Sequence, residues 1–356
     1  MVISKLIENN IAYYCLHAET AYSHSKDTEE TVYNRSKDVV HISIYTTSLT
    51  KTAIDLVCED ILNDTCCSNF VLDFDGIESV VSSNPIDAVI PKTSNLCNKD
   101  GKNIILANVK SSIVEQTMSL SLHVAKNSRY LNQNYYTYFS LCDIDCNELS
   151  NYENVFNATI TDKLKKYIKK EEIDNPSSSV RLSAYIDIKQ LITLDKPFVL
   201  YCIYRLAKKT WIKWIRGNQK DSKEEQKDSF EPEEKPILIC QSLNGSFIAS
   251  VLSSLLGLDL FIIDSIGPIN KLYRSLGATI KSGKKYIVVS DVVCLGTEVK
   301  ITKNIIEYLG GIYCGNVSIV RIASFKSYDD VESVFCIDKN NKDEFDYKIF
   351  TALDKK

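Results

Sequence analysis

The residues best suited to chemistry lie in Lys284-Lys-Tyr-Ile-Val-Val-Ser-Asp-Val-Val-Cys-Leu-Gly-Thr-Glu-Val-Lys300. The β-branched run from Ile287 reads as a strand. Gly296 can then turn the chain, and the segment to about Leu309 reads as a helix stopped by Gly310 and Gly311. Strand, tight turn and helix can together grip a phosphate. The turn converges the backbone N–H groups of Cys294, Leu295, Gly296, Thr297 and Glu298, and the helix start adds positive potential. Glycine lets the backbone approach the ligand without a Cβ in the way. Asp291, preceded by Ser290, is placed to accept hydrogen bonds from sugar hydroxyls beside that phosphate. The Glu298 carboxylate would repel a phosphate if it faced the turn; pointing outward, it leaves only its N–H in use.

Other reactive side chains form no such constellation. His17, His24, His41 and His123 fall in no motif. Trp211 and Trp214, with Lys213 and Arg216 beside them, suit the packed face of an amphipathic helix better than a base-stacking platform. The chain has 12 cysteines but no CxxC pair, and many lie in apolar runs such as Tyr201-Cys-Ile203. That usage fits reduced cysteines acting as small hydrophobes in a cytoplasmic protein. Cys142 and Cys146 have no second Cys/His pair to complete a zinc site.

At 356 residues the chain is long enough for about two domains. Hydrophobic residues at 44% and charged residues at 25% are globular values. A net charge of −4 gives no general attraction for nucleic acid or acidic lipid. No apolar run suits a signal peptide or a membrane span, so no membrane partner is expected.

Alternating strand and helix patterns predict an α/β protein with helices packed on sheets. Residues 1–38 read as an N-terminal segment that begins with a short helix and then turns polar. A smaller α/β domain is expected over 39–130, with strands at Val39–Tyr45, Asn69–Phe74 and Asn103–Asn108 and helices at Thr50–Leu62 and Ser111–His123. A linking region, 131–175, contains a charged helix from Thr161 to Glu172 whose lysines read as a solvated face. The larger domain is expected over 176–356, with a mobile charged insertion at 218–235.

Phe70-Val-Leu-Asp-Phe-Asp-Gly-Ile-Glu-Ser79 resembles the STAS family, where a hydrophobic strand runs into Asp-Phe-x-Gly and a serine-rich helix start. The resemblance implies a module that binds a protein partner, in some relatives switched by serine phosphorylation. Ser82, Ser83 and Asn84 ahead of Pro85 equally suit simple helix capping.

The segment around Asp291 resembles the phosphoribosyl pyrophosphate signature of type I phosphoribosyltransferases. The other motifs follow in the order of that family, most closely that of orotate phosphoribosyltransferases. Ser179-Val-Arg-Leu-Ser-Ala-Tyr185 resembles the segment that contributes to the base pocket, through Ser183 and Tyr185. Pro236 to Ser246 resembles the strand and pyrophosphate loop, which here would be Ser242, Leu243, Asn244 and Gly245. Lys271-Leu-Tyr-Arg-Ser-Leu-Gly277 resembles the basic loop that closes over pyrophosphate, bringing Lys271 and Arg274. Asn316 to Ile322 resembles the last core strand, with Arg321 able to reach a base.

The resemblance implies a mostly parallel sheet flanked by helices and a phosphoribosyl or nucleotide ligand. It also implies magnesium held through Asp291 and the ribose hydroxyls, and it is compatible with a homodimer. The expected function is that of a divergent phosphoribosyltransferase acting on an unidentified base. Several residues depart from the family pattern. Ser290 stands in place of an acid, Cys294 in place of a threonine, and Leu295 in place of a small or hydroxyl residue. The orotate-binding lysine is missing at Ser178. These departures favour the alternative of a non-catalytic nucleotide or phosphosugar sensor whose STAS-like module binds a protein.

Overall fold

The computed structural model describes residues 5–16, 48–75, 79–81, 93, 95–97, 99–109, 129–133, 136–140, 149–170, 173–174, 180–216, 235–263, 280–323, 330–338, 342–345 and 348–351. The chain divides into two compact units, Met1–Ile160 and Thr161–Lys356. Among the described residues no helix is long and apolar enough to cross a membrane.

The first unit begins with strands β1 (Lys5–Glu8) and β2 (Ile11–Cys15), where the sequence suggested a helix. Asn9 and Asn10 join them with φ of 49° and 63°. Two consecutive left-handed residues make the tight turn that matches strand twist, and asparagine tolerates that region better than most residues. β2 is buried from Ile11 to Tyr14, which commits the hairpin to a sheet rather than to an amphipathic helix. Next come β3 (Ser48–Thr50), helix α1 (Lys51–Asn63), β4 (Asn69–Asp73), β5 (Ser79–Val81), β6 (Asn103–Ala107), β7 (Arg129–Gln133) and β8 (Tyr136–Ser140).

The expected helix at Thr50–Leu62 and strands at Asn69–Phe74 and Asn103–Asn108 are present as α1, β4 and β6. The expected strand Val39–Tyr45 and helix Ser111–His123 lie outside the described residues. The main sheet has the order β1-β2-β4-β6-β8-β7, parallel at β2-β4-β6 and antiparallel on both flanks. Ile54, Val57 and Ile61 of α1 pack with Tyr14, Phe70, Leu72 and Ile104. Lys5 ties the hairpin to the end of α1 through ion pairs with Asp60 and Asp64.

Helix α2 (Tyr152–Lys166) starts nine residues before the expected Thr161 and gives way to strand β9 (Ile168–Lys169), so the charged helix does not reach Glu172. Its lysines are engaged: Lys163 pairs with Asp195, and Lys165 pairs with Glu344 at 2.7 Å. Short strands β10 (Ile173–Asp174), β11 (Val180–Leu182) and β12 (Tyr185–Ile186) follow. Helix α3 (Ile188–Leu194) is capped by Asp187, which accepts from the Gln190 N–H at 2.9 Å. Helix α4 (Lys196–Thr210) continues into a π-helical turn, Trp211–Arg216.

The core of this unit is a five-stranded parallel sheet. It is built from β13 (Ile237–Cys240), α5 (Leu243–Leu256), β14 (Leu260–Ile262), β15 (Lys285–Val293), α6 (Thr297–Tyr308), β16 (Ile312–Ile322) and β17 (Val331–Ile337). The chain ends with α7 (Lys342–Phe345) and β18 (Ile349–Thr351), the latter pairing with β11. Residues Ile237, Ile239, Tyr286 and Val288 face Ile301, Ile305 and Ile306 of α6. Because side chains alternate across a strand, Cys240 and Val289 point to the opposite face, where the Gly245 turn of α5 approaches them.

Trp214 packs on that same sheet. Its indole N–H donates to the Cys314 carbonyl at 3.1 Å, and the ring lies where a Cβ on Gly315 would be, only 2.4 Å away. It is therefore a packing residue, as expected.

Candidate functional site

The sheet order β14-β13-β15-β16-β17 reverses direction between β13 and β15. From β13 the chain leaves through α5 on one face; from β15 it leaves through α6 on the other. The two helix starts lie at the carboxyl ends of the strands, the switch point at which open α/β sheets form their ligand-binding crevice. Both candidate turns, after β13 and after β15, lie at this point.

After β15 the backbone turns at Gly296, with φ 68° and ψ 16°. That left-handed position favours glycine over residues with a bulkier side chain. Gly296 is the N-cap of α6 and supplies no side-chain cap, so the first N–H groups of the helix are not answered by a capping oxygen. Cys294 to Gly296 thus form the turn after β15, and Thr297 and Glu298 start the helix, the strand–turn–helix order expected of this segment. After β13, Ser242 caps α5 and accepts from the Gly245 N–H at 2.9 Å. A Cβ on Gly245 would lie 2.6 Å from Ser242 Oγ and 3.0 Å from Cys240 Sγ, so only glycine fits beneath the turn. Ser242, Leu243, Asn244 and Gly245 are therefore the cap and first turn of α5, not a free loop.

Asn244 reaches from this turn to Asp291: its Nδ2 donates to Asp291 Oδ2 at 3.1 Å, while the Val292 N–H donates to Oδ1 at 2.9 Å. Asp291 is half-buried and fixed in place. Ser290 points to the other face, where Asn316 Nδ2 donates to its Oγ at 3.0 Å. A third amide, Gln241, ties the end of β13 to α6. Its Oε1 accepts from Thr302 at 2.7 Å, and it hydrogen-bonds the Glu298 carboxylate. Gln241, Thr302 and Asn316 escaped the sequence reading. The one available signal was a polar side chain inside or ending an apolar run.

The electrostatics follow from these contacts. Burial of its carboxylate, and then repulsion from Asp291, raise Glu298 above the usual carboxylate range; the Gln241 hydrogen bond opposes them. Glu298 is exposed as a residue, but its carboxylate is drawn back toward the crevice. Burial also pushes up the Cys240 thiol, which donates to the Ser242 carbonyl at 3.3 Å and is no nucleophile. Among the described residues no group of three or more His, Cys, Asp or Glu side chains could hold a metal by itself. A hydrated magnesium ion that takes most of its ligands from a phosphorylated substrate would meet the Asp291 carboxylate.

The other expected site residues are placed as follows. Arg321 lies at the carboxyl end of β16, in register with Val293, and its Nη1 donates to the Val331 carbonyl at 3.4 Å. Ser183 pairs by backbone and side chain with Lys348, and the Lys169 ammonium lies over the Tyr185 ring. Lys271 and Arg274 lie outside the described residues.

No family model and no curated protein matches the chain. Solved structures similar to it include adenine phosphoribosyltransferase from Thermoanaerobacter pseudethanolicus, at 17% identity over 49% of this chain and 99% of that one, with a TM-score of 0.33. Orotate phosphoribosyltransferase from Aeropyrum pernix is similar at 14% identity over 53% and 98%, with a TM-score of 0.36. Purine phosphoribosyltransferase from Pyrococcus horikoshii is similar at 18% identity over 39% and 81%, with a TM-score of 0.26. The resemblance to type I phosphoribosyltransferases covers about half of the chain and is one of fold.

Proposed function

We propose that the crevice between α5 and α6 binds a phosphoribosyl ligand, and that the protein is a divergent phosphoribosyltransferase acting on a base. The observation that carries this reading is the left-handed turn at Gly296, which leads from a carboxylate-bearing strand end into an uncapped helix start at the point where the sheet order reverses. In this reading the N–H groups from Cys294 to Glu298 hold the 5′-phosphate. Asp291, preset by Asn244, accepts from ribose hydroxyls. The helix start at Ser242–Gly245, with Lys271 and Arg274, holds pyrophosphate.

In the transfer, a base nitrogen forms a bond to C1 of the ribose. The C1–O bond to pyrophosphate breaks, and its electron pair leaves with pyrophosphate. Magnesium bound with the substrate would neutralise charge on that leaving group.

One observation favours a second reading, a nucleotide or phosphosugar sensor without turnover. Ser290, where the family has an acid, is held by Asn316 on the face away from Asp291, so one hydroxyl clamp is lacking. The N-terminal unit would then bind a protein partner, as its STAS-like strand Asn69–Asp73 suggests; Ser82 and Ser83 lie outside the described residues.

Calorimetry of the full chain with phosphoribosyl pyrophosphate, with and without magnesium, tests the shared claim. Saturable binding that Asp291→Asn removes supports it. No binding, or affinity unchanged by that substitution, refutes the site. Pyrophosphate release with a panel of bases then distinguishes enzyme from sensor.

A further inference from the structure

β16 carries three buried side-chain polar atoms that have no hydrogen-bond partner among the described residues: Asn316 Oδ1, Ser318 Oγ and Arg321 Nε. Buried polar groups are nearly always satisfied, so a concentration on one strand calls for an explanation. Two of the three share a face. Asn316 and Ser318 are two residues apart, and both are fully buried. Register aligns Ser318 with Ser290 on β15 and with Ser333 on β17, so three serines and Asn316 form a polar patch inside the sheet.

The orientation of Asn316 is fixed. Its Nδ2 donates to the Val288 carbonyl at 3.0 Å and to Ser290 Oγ at 3.0 Å, which engages both amide protons. Turning the amide over would set Oδ1 against the Val288 carbonyl, oxygen to oxygen. Oδ1 therefore stays an acceptor facing away from both. Ser290 Oγ already accepts from Asn316, so its own proton is left to donate.

We propose that one ordered water molecule is sealed against this patch, donating to Asn316 Oδ1 and bonding Ser318 Oγ. Side chains two apart on a strand start about 7 Å from each other, a gap that one water with two hydrogen bonds can bridge. With Ser290 as a further donor the water has about three partners, the usual number for a buried site. Serine and asparagine side chains are neutral, so a buried ion there would be uncompensated. Both atoms are sealed from solvent, which suits a water molecule better than a larger ligand. The water fixes Asn316 and through it Ser290, next to Asp291 on β15, and so steadies the strand end that leads into the Gly296 turn. This inference stands apart from the phosphoribosyl reading and survives its failure.

A crystal structure of the full chain that resolves ordered solvent tests it. A peak within about 3.2 Å of both Asn316 Oδ1 and Ser318 Oγ is expected, and a dry contact there overturns the proposal. In solution, Ser318→Ala removes one partner of the water and should lower the melting temperature by about 2–4 °C. If the hydroxyl is instead desolvated with nothing bound, the same substitution removes an unmet polar group, and melting is unchanged or higher; that result overturns the proposal. Alanine fits the space of serine, so the variant folds and either outcome is readable.

Discussion

Two parallel strands of this protein carry near their ends an aspartate met by an asparagine from a neighbouring element, and only one of the two stands at a reversal of the sheet order. At the end of β4, Asp73 is 3% exposed, and its Oδ1 accepts from Asn108 Nδ2 at 2.8 Å and from the Asp75 N–H at 2.9 Å. Asn108 holds a left-handed φ of 55°. At the end of β15, Asp291 is likewise met by Asn244 and by a following N–H, but it stays half-exposed beside a helix start. The difference lies in the sheet order. β4 sits between β2 and β6 in a march with no reversal, and its buried carboxylate acts as a plug. β15 sits at a reversal, and the same local device borders open space.

Exchanging the two aspartates sharpens the contrast most. Asp291→Asn should weaken phosphoribosyl pyrophosphate binding by about 10- to 100-fold, read by calorimetry, because hydrogen bonds to a charged acceptor are lost. Its melting temperature should hardly move. Asp73→Ala should do the reverse. It strands the Asn108 amide and the Asp75 N–H and should lower stability by about 1–3 kcal/mol in denaturant melts, with ligand affinity intact. If Asp73→Ala weakened binding as much as Asp291→Asn, the distinction between plug and site would fail.

Gly296→Ala should be next in size. A Cβ at φ 68° strains the turn by about 1 kcal/mol, and misplacing the first N–H groups of α6 should weaken binding as well. The matching change at Gly257, also left-handed with φ 59° but at the far end of α5, should cost similar stability and leave binding unchanged.

Acid separates the units further. Burial would raise Asp64, but the Lys5 ammonium and the N–H groups of Cys67 and Cys66 outweigh it and set its carboxyl at about 2 against an ordinary 3.8. A depressed carboxylate pKa stabilises the fold above the unfolded value. That contribution should fade as the pH falls from about 4 towards 2, and Asp64→Asn should remove the effect from acid melts.

The smallest effect concerns Glu298, whose pKa is shifted the other way. Its raised pKa means that the folded state holds the proton more tightly, and a phosphate at the α6 start would raise it further. Phosphate binding should therefore weaken as the pH rises through the titration of Glu298. Glu298→Gln should bind a few-fold more tightly at high pH and lose the part of the pH dependence that is not the ligand's own. Identical pH profiles for the two proteins would remove Glu298 from the cradle.

Local signals were legible in the sequence where one segment contains its own cause. The β-branched run before Asp291, the glycine needed at φ 68° and the amphipathic residues after it specify strand, turn and helix without help from elsewhere. The same holds for β4, β6 and α1. The N-terminal hairpin was missed because Lys5 to Cys15 is short and apolar on both faces; the Asn9-Asn10 pair was its turn signal.

The sequence alone therefore determined that a strand, a left-handed turn at Gly296 and a helix follow one another, because backbone conformation there depends on a few adjacent residues. Tertiary structure decided what surrounds the turn. Asn244 meets Asp291 across 47 residues, and Asn316 meets Ser290 across 26. Strand order and register set which amide faces which carboxylate, and those depend on how distant segments pair rather than on any residue's own preference.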